Sequence, residues 1–335
     1  MKDLLKPSIY WFLAFIPLTI ILEFRHSSAP VIFFSAALSI IPIARLIGDS
    51  TEQLASYTGD AVGGLLNATF GNLPELIIVV IALNAGLHQM VLASLAGAIL
   101  ANLLLAMGVS FLVGGIKFHN QDYNPTSVRV YSSMMMIAVI SLTIPSAFHI
   151  LTAAKGASEN ENILNLNLAV VLLIGYVLYL FFMIRTHPDF FRSEGGAGHT
   201  DENEHKWSLT RAFITLLVAS VLAAFMSEVL VGVAEETGKV LGMSSVFIGV
   251  IFLAIVGGAA ESISAIAMAA KNKMDLSIGI ALGSSIQIAL FIAPLLVILS
   301  IFVGPGQLNL TFPRPLIVAL FLAVILATMI VGDGR

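Results

Sequence analysis

The chain has 335 residues, of which 58% are apolar and 11% charged, against about 25% charged in an ordinary soluble domain. That composition excludes a soluble globular protein and defines an integral membrane protein. A net charge of −4 gives no electrostatic footing for nucleic acid, and the absence of cysteine excludes disulfides, thiolate metal sites and a cysteine nucleophile.

Windows of about 20 apolar residues mark ten candidate spans, at 8–24, 30–47, 54–84, 89–114, 128–149, 163–184, 209–234, 244–270, 275–303 and 312–331. The runs are too long and too continuously apolar for barrel strands, so the fold class is all-α and polytopic. The first span follows Lys2 and Lys6 as a signal peptide would. No small-residue cleavage pattern follows it, and it reads as a retained leading helix.

Assigning alternate loops to opposite sides leaves only Arg25, Lys155, Lys239 and Arg314, of 16 basic residues, on one side. The excess on the other predicts a cytoplasmic N-terminus. The long polar stretch at 185–210, with its acidic cluster of Asp201, Glu202 and Glu204, falls on the cytoplasmic side too. It reads as a solvated linker between two halves, with a cation-sensing segment as the alternative.

Two spans carry unexpected chemistry. "LLNATFGNLPELIIVVIA" (65–82) is interrupted by Gly71, Asn72, Pro74 and Glu75, and "LAIVGGAAESISAIAM" (253–268) by Gly257, Gly258 and Glu261. A shift of 186 positions maps Gly63, Gly71, Glu75 and Gly97 onto Gly249, Gly257, Glu261 and Gly283. Four coincidences at one offset argue for an internal duplication. The shift covers five spans, an odd number, so the two copies are expected to run antiparallel. Inverted repeats of this kind are a transporter signature, with the ion site near the bilayer midplane where interrupted helices meet.

Pro74 lacks an amide hydrogen and Gly71, Gly257 and Gly258 weaken helix continuity, so carbonyl oxygens there can face a cavity. The glycines could equally serve close helix packing. A lone ionised carboxylate at such depth costs about 3 kcal/mol or more, and no lysine or arginine lies within either motif's helix core. Glu75 and Glu261, carbonyls at Gly71 and Gly257, and the polar side chains of Asn72, Asn102, Ser284 and Gln287 form an all-oxygen set. Such a set suits a hard cation, Ca²⁺ in particular. Glu228 in span 7, Asp60 in "YTGDAVGG" and Asn67 are second-tier candidates for a proton or ion pathway.

The stretches "LLNATFGNLPELII" and "AIVGGAAESISAI", followed by "SLAGAILANLLLAMG" and "IALGSSIQIALFIAP", resemble the paired motifs of the calcium/proton exchangers, the CAX branch of the cation/Ca²⁺ antiporter superfamily. The resemblance implies a leading helix over 1–28 and a first inverted repeat over 29–186 (spans 2–6). An acidic cytoplasmic linker over 187–207 and a second inverted repeat over 208–335 (spans 7–10) follow. It implies that Glu75 and Glu261 are the essential carboxylates, with Asn72, Ser284 and Gln287 beside them. Three departures stand out. Gly258 and Ser262 occupy places where the family has asparagine and histidine, Ala98 and Ala101 replace small polar residues or glycine, and the chain ends at "VGDGR" where one more helix normally follows.

The expected function is exchange of Ca²⁺ for protons, with no cofactor. The bilayer, Ca²⁺ and H⁺ are the partners, nucleic acid is not, and a homo-oligomer is compatible with the pattern. Na⁺/Ca²⁺ exchange or monovalent cation/H⁺ exchange stays open. A channel is less favoured because duplication around a closed carboxylate pair suits alternating access. An intramembrane metalloenzyme lacks its motifs, since there is no H-E-x-x-H and no G-x-S-x-G.

Overall fold

A computed structural model describes residues 8–152, 158–191 and 207–332. Among these residues the chain is helical and carries no strand. In chain order the helices are α1 (Ile9–Phe24), α2 (Ala29–Phe70), α3 (Leu73–Asn84), α4 (His88–Lys117), α5 (Pro125–Thr152) and α6 (Ser158–Phe181). After the linker come α7 (Leu209–Gly232), α8 (Ala234–Leu241), α9 (Ser245–Gly257), α10 (Ala259–Ala269), α11 (Met274–Leu299) and α12 (Arg314–Ile330).

By length and apolarity, six helical stretches can each cross a membrane alone, and α8 with α9, bent by 116° at their junction, would raise the number to seven. The apolar helices α1, α3, α10 and α12 are shorter. This is four fewer self-sufficient spans than the ten windows of the sequence, because two windows are broken in the middle, 54–84 at Gly71–Asn72 and 244–270 at Gly258, and two others, 8–24 and 312–331, form the shorter helices α1 and α12.

A second difference concerns the polar run Gly48-Asp49-Ser50-Thr51-Glu52, which reads as a loop separating spans 30–47 and 54–84. The helix continues through it. Ser50 and Thr51 turn their hydroxyls back onto the Leu46 and Ile47 carbonyls at 2.6 and 2.8 Å, so neither competes for the ladder. Asp49 and Glu52 face an internal cavity. The chain reverses further on. A Cβ on Gly63 would lie 2.6 Å from the Ala55 carbonyl oxygen, whereas eight residues of straight helix rise about 12 Å. The assigned helix therefore bends back on itself between these two residues.

Packing places α4 and α11 at the centre. Of their apolar windows, 78% and 72% are buried, against 28% for the window over α6. One core joins α3, α4 and α9 to α12 with the inner faces of α5 and α6. A smaller one joins α2 to α7, with Phe33, Ile40, Ala223 and Met226 fully enclosed. The outward faces stay apolar, as Val171, Ile174, Leu217 and Val221 show, because lipid is their solvent. Between helices in lipid the hydrophobic effect gives little, and close approach of small residues does the work.

The tightest crossing shows this. A Cβ on Gly97 of α4 would overlap the Val250 carbonyl of α9, and one on Gly249 would lie 2.6 Å from the Met90 carbonyl oxygen. Two glycines, one per helix, thus let α4 and α9 touch backbone to backbone.

Backbone outside helices is also satisfied internally, as a membrane interior requires. In the extended stretch 307–313, the amides of Leu308, Leu310 and Phe312 donate to Ser300 Oγ, Asn165 Oδ1 and Ser146 Oγ at 2.8 to 2.9 Å.

Overpacking of a close-packed contact costs about 1 to 3 kcal/mol. Gly97→Ala is therefore expected to lower the thermal unfolding midpoint of the detergent-solubilised protein. Gly115→Ala, whose Cβ meets nothing within 4 Å, is expected to leave it in place. Equal midpoints for both variants would refute the backbone contact.

Candidate functional site: a buried carboxylate pair at two helix breaks

Each motif breaks its helix for a readable reason. In the first, α2 stops at Phe70, Gly71 and Asn72 turn, and α3 starts with Pro74 in its first turn, where a missing amide hydrogen is harmless. Leu76 N bonds back to the Asn72 carbonyl at 3.1 Å. In the second there is no proline, and Gly258, at φ −83° and ψ 12°, alone separates α9 from α10. Glu75 and Glu261 each fall in the first turn of the helix that follows. There the positive end of the helix dipole favours a carboxylate.

Glu75 is buried, and neither of its side-chain oxygens has a hydrogen-bond partner; Oε2 of Glu261 is likewise buried and unpartnered. Buried polar atoms are paired in the great majority of cases, so three orphaned carboxylate oxygens at two matching helix breaks mark a place built for a proton or a cation. Glu261 lies within electrostatic reach of Glu75 and of Arg45.

Gly257 explains how Glu75 fits. A Cβ there would lie 2.8 Å from Glu75 Cγ and 3.5 Å from its Cα. The glycine of the second motif is thus the seat of the first motif's carboxylate.

Neutral oxygens surround the pair. The Ser284 hydroxyl donates to Asn72 Oδ1 at 3.0 Å and accepts from Asn102 Nδ2 at 3.0 Å, and Asn72 Nδ2 reaches the Ser284 carbonyl at 3.5 Å. This chain of bonds ties the first break, α4 and α11 together, uses both ends of the Asn72 amide and spends the Asn102 amide nitrogen. Gln287, also buried, leaves its Nε2 without a partner. A cavity of about 650 Å³ is lined by Gly71, Asn72, Glu261, Ser284 and Gln287 together with Arg45, Asp49, Glu52, Lys271 and Asp275.

Of the residues proposed from sequence, the structure brings Gly71, Asn72, Glu261, Ser284 and Gln287 onto one cavity. Asn102 is tied to them through Ser284, whereas Glu75 does not line the cavity and packs against Gly257 of the second motif. Glu228 is different: it is exposed on α7 and does not line that cavity. Hydropathy places it inside a span but says nothing of the face it occupies. The side chains of Asp60 and Asn67 and the linker acids Asp201, Glu202 and Glu204 lie outside the described residues.

Sequence reading missed Arg45, counting it only as charge at a helix end. It lies inside α2, is paired with Asp49 at 2.8 Å, and donates to Ser264 Oγ at 2.7 Å. Tyr10 of α1 donates to the other Asp49 oxygen at 2.6 Å. A guanidinium thus enters the cavity from outside both motifs, one turn from Glu261 along α10. The i, i+4 spacing of Arg45 and Asp49 in an apolar run was the available signal.

These features define a polytopic membrane protein with an internal cavity lined by polar side chains. The chain matches the sodium/calcium exchanger protein family over residues 28–185 and 211–335. It is 42% identical to a Ca²⁺/H⁺ antiporter, ChaA, of Bacillus subtilis, over 95% of this chain and 90% of that one. To a Ca²⁺/H⁺ antiporter of Aphanothece halophytica it is 38% identical, over 96% and 89%. The solved structure of native YfkE superimposes with a TM-score of 0.84 at 38% identity, covering 98% of this chain and 92% of that one. The chain belongs to the sodium/calcium exchanger family, in its calcium/proton exchanger branch. It is an integral, multi-pass membrane transporter and not an enzyme.

The seat at Gly257 is testable. Gly257→Ala pushes on Glu75 and is expected to cut Ca²⁺ transport in proteoliposomes by about tenfold or more, the scale of a misplaced reacting group. Gly175→Ala, with open space around it, is expected to behave as the parent. Full transport by Gly257→Ala would remove the glycine from the site.

Proposed function

We propose that this protein exchanges Ca²⁺ for protons across a membrane by alternating access to one site shared by Glu75 and Glu261. The observation that carries the proposal is that Glu75, buried with both oxygens unpartnered, and Glu261, half-buried with Oε2 unpartnered, each follow a helix break. The names of the relatives, Ca²⁺/H⁺ antiporters, agree with it.

The chemistry is mutual exclusion. With both carboxylates ionised the site carries two negative charges, which one Ca²⁺ balances with help from neutral oxygens of Asn72, Asn102, Ser284 and Gln287 and carbonyls at Gly71 and Gly257. Without the cation, two like charges in a poorly hydrated site repel, and protons take its place. An empty, doubly ionised site costs several kcal/mol, on the order of 3 per charge, so it does not cross. Only the loaded and the protonated forms exchange sides, and that obligation is what couples the two fluxes.

Sidedness follows from the duplication. Under the 186-residue shift, the crossing of Gly249 against α4 has a counterpart in Gly63 against α11. In the structure Gly97 packs on the Val250 backbone and Gly249 on that of Met90, whereas a Cβ on Gly283 would meet nothing within 4 Å. The cavity runs past Gly279 and Gly283 on that loosely packed side. An inverted repeat with one crossing closed and its mate open is a transporter open to one side. Lys271 is among the residues that line this cavity, and the positive-inside rule would make its side the cytoplasm. The pair α2 and α7, packed on one another around the central helices, is the unit that would rock to exchange the two crossings. The same duplication assigns 29–186 and 208–335 to the two repeats, with 1–28 as the leading helix and 187–207 as the linker.

Proteoliposomes with an imposed pH gradient test the proposal. The parent is expected to take up ⁴⁵Ca²⁺ in proportion to the gradient, with or without Na⁺, and without a Ca²⁺ current in a planar bilayer. Glu75→Gln and Glu261→Gln are each expected to reduce uptake to background. Parental uptake by both variants refutes the shared site, and uptake driven by a Na⁺ gradient alone reassigns the counter-ion.

A further inference from the structure

Arg45 lies within α2 and lines the cavity with its side chain 34% exposed. Its guanidinium serves two helices at once. Nε pairs with Asp49 Oδ1 at 2.8 Å inside α2, while Nη1 donates to Ser264 Oγ at 2.7 Å on α10, three residues past Glu261. Tyr10 of α1 donates to the other Asp49 oxygen at 2.6 Å and holds the pair from behind. The bond to Ser264 therefore joins α2 to the helix that carries Glu261.

The duplication gives this contact a mate, and the mate is of another kind. Under the 186-residue shift Arg45 maps onto Val231 of α7, and Ser264 onto Ile78 of α3. Helix α3 packs directly on α7, with Val231 3% and Ile78 1% exposed. An apolar pair suits such packing. A guanidinium in the same place would lose the water of the cavity, and a charge so desolvated in a membrane protein is expensive. Exchange of the two crossings would move Arg45 and Ser264 into the packing that their mates now have, so the polar contact belongs to the state in which the cavity is open.

We propose that Arg45 is a positioning residue of the exchange cycle: its bond to Ser264 latches α2 onto α10 while the cavity is open, and it has to break before the site can face the other side. The inference rests on the alternating-access reading above and goes beyond it, because the mate at Val231 and Ile78 has no polar side chain with which to form a latch. The two access states are thus unequal, and the protein without Ca²⁺ favours the one in this structure.

The chain has no cysteine, so a thiol introduced at one position is the only one present. Ser94 is buried on α4, its amide nitrogen 3.1 Å from the point that a Cβ on Gly249 would occupy. A thiol there is reached only when the closed crossing opens. The experiment measures modification of Ser94→Cys by a polar maleimide in the purified full chain without Ca²⁺. Adding Ser264→Ala, which leaves Arg45, Asp49 and Tyr10 in place, is expected to raise the rate about tenfold, the scale of one lost hydrogen bond to a charged group. Ser264→Thr keeps the hydroxyl and is expected to react at the parental rate. Arg45→Gln is too short to span to Ser264 and is expected to act as Ser264→Ala does; it is the readout if the alanine variant does not fold. Ala138→Cys, fully enclosed on α5, is expected to stay unmodified in every background. The latch is overturned by an unchanged or lower rate with Ser264→Ala, by an equal rise with Ser264→Thr, by a matching rise at Ala138→Cys, or by failure of both Ser264→Ala and Arg45→Gln to fold. Ca²⁺ and pH separate the two claims. A rate at Ser94→Cys that neither alters defeats the alternating-access reading itself, whereas a rate that answers to them but not to Ser264→Ala defeats only the latch.

Discussion

A carboxylate inside a helical membrane bundle is costly unless it is paired, protonated or bound to a cation, and this structure sets two of them, Glu75 and Glu261, in the first turns of helices that follow a break. The hydrocarbon phase gives no water to solvate the charge and none to satisfy a broken backbone. Each helix that carries a glutamate is accordingly interrupted just before it, so that the positive end of a new helix faces the acid. The gap leaves carbonyls from the preceding segment nearby. Glycine is needed twice over: to make the break, and at Gly257 to leave room for the opposing Glu75.

Packing around the site follows from the same solvent. Helices in lipid gain little from burying apolar area and hold together by close backbone approach and a few polar bonds. The contact between Gly97 and Val250 and the bonds joining Asn72, Ser284 and Asn102 are of these two kinds. The network from Tyr10 through Asp49 and Arg45 to Ser264 is a third tie, and it links the leading helix to the helix that carries Glu261. An arginine within an apolar helix is expensive alone. Here it is paired along its own helix and faces the cavity rather than lipid.

Much of this was legible in the amino-acid order because charge and glycine are rare in apolar runs. Glu75 and Glu261 could be picked out as a related pair, and the breaks at Gly71 and Gly258 fell where glycine and proline put them. Helix limits were less legible. The run from Gly48 to Glu52 looks like a loop, yet its polar atoms point into the cavity or bond back to the preceding turn. Face was not legible at all for Glu228, which hydropathy puts within a span and the packing turns outward. Arg45 escaped because its partner Ser264 lies far away in sequence, and no local pattern encodes a contact made only by the tertiary fold. Likewise the residue types at 72, 102 and 284 suggested oxygen ligands, but the bonds that orient them exist only once three helices meet.

The central claim is that metal ion and protons occupy the same two carboxylates in turn. Isothermal titration of Ca²⁺ into the purified protein, in buffers of different ionisation enthalpy, counts the protons displaced per ion bound. At mildly acidic pH the account predicts release of about two protons per Ca²⁺, falling towards zero as the pH rises. Binding that releases no proton at any pH would show that the two ions do not compete, and would contradict it.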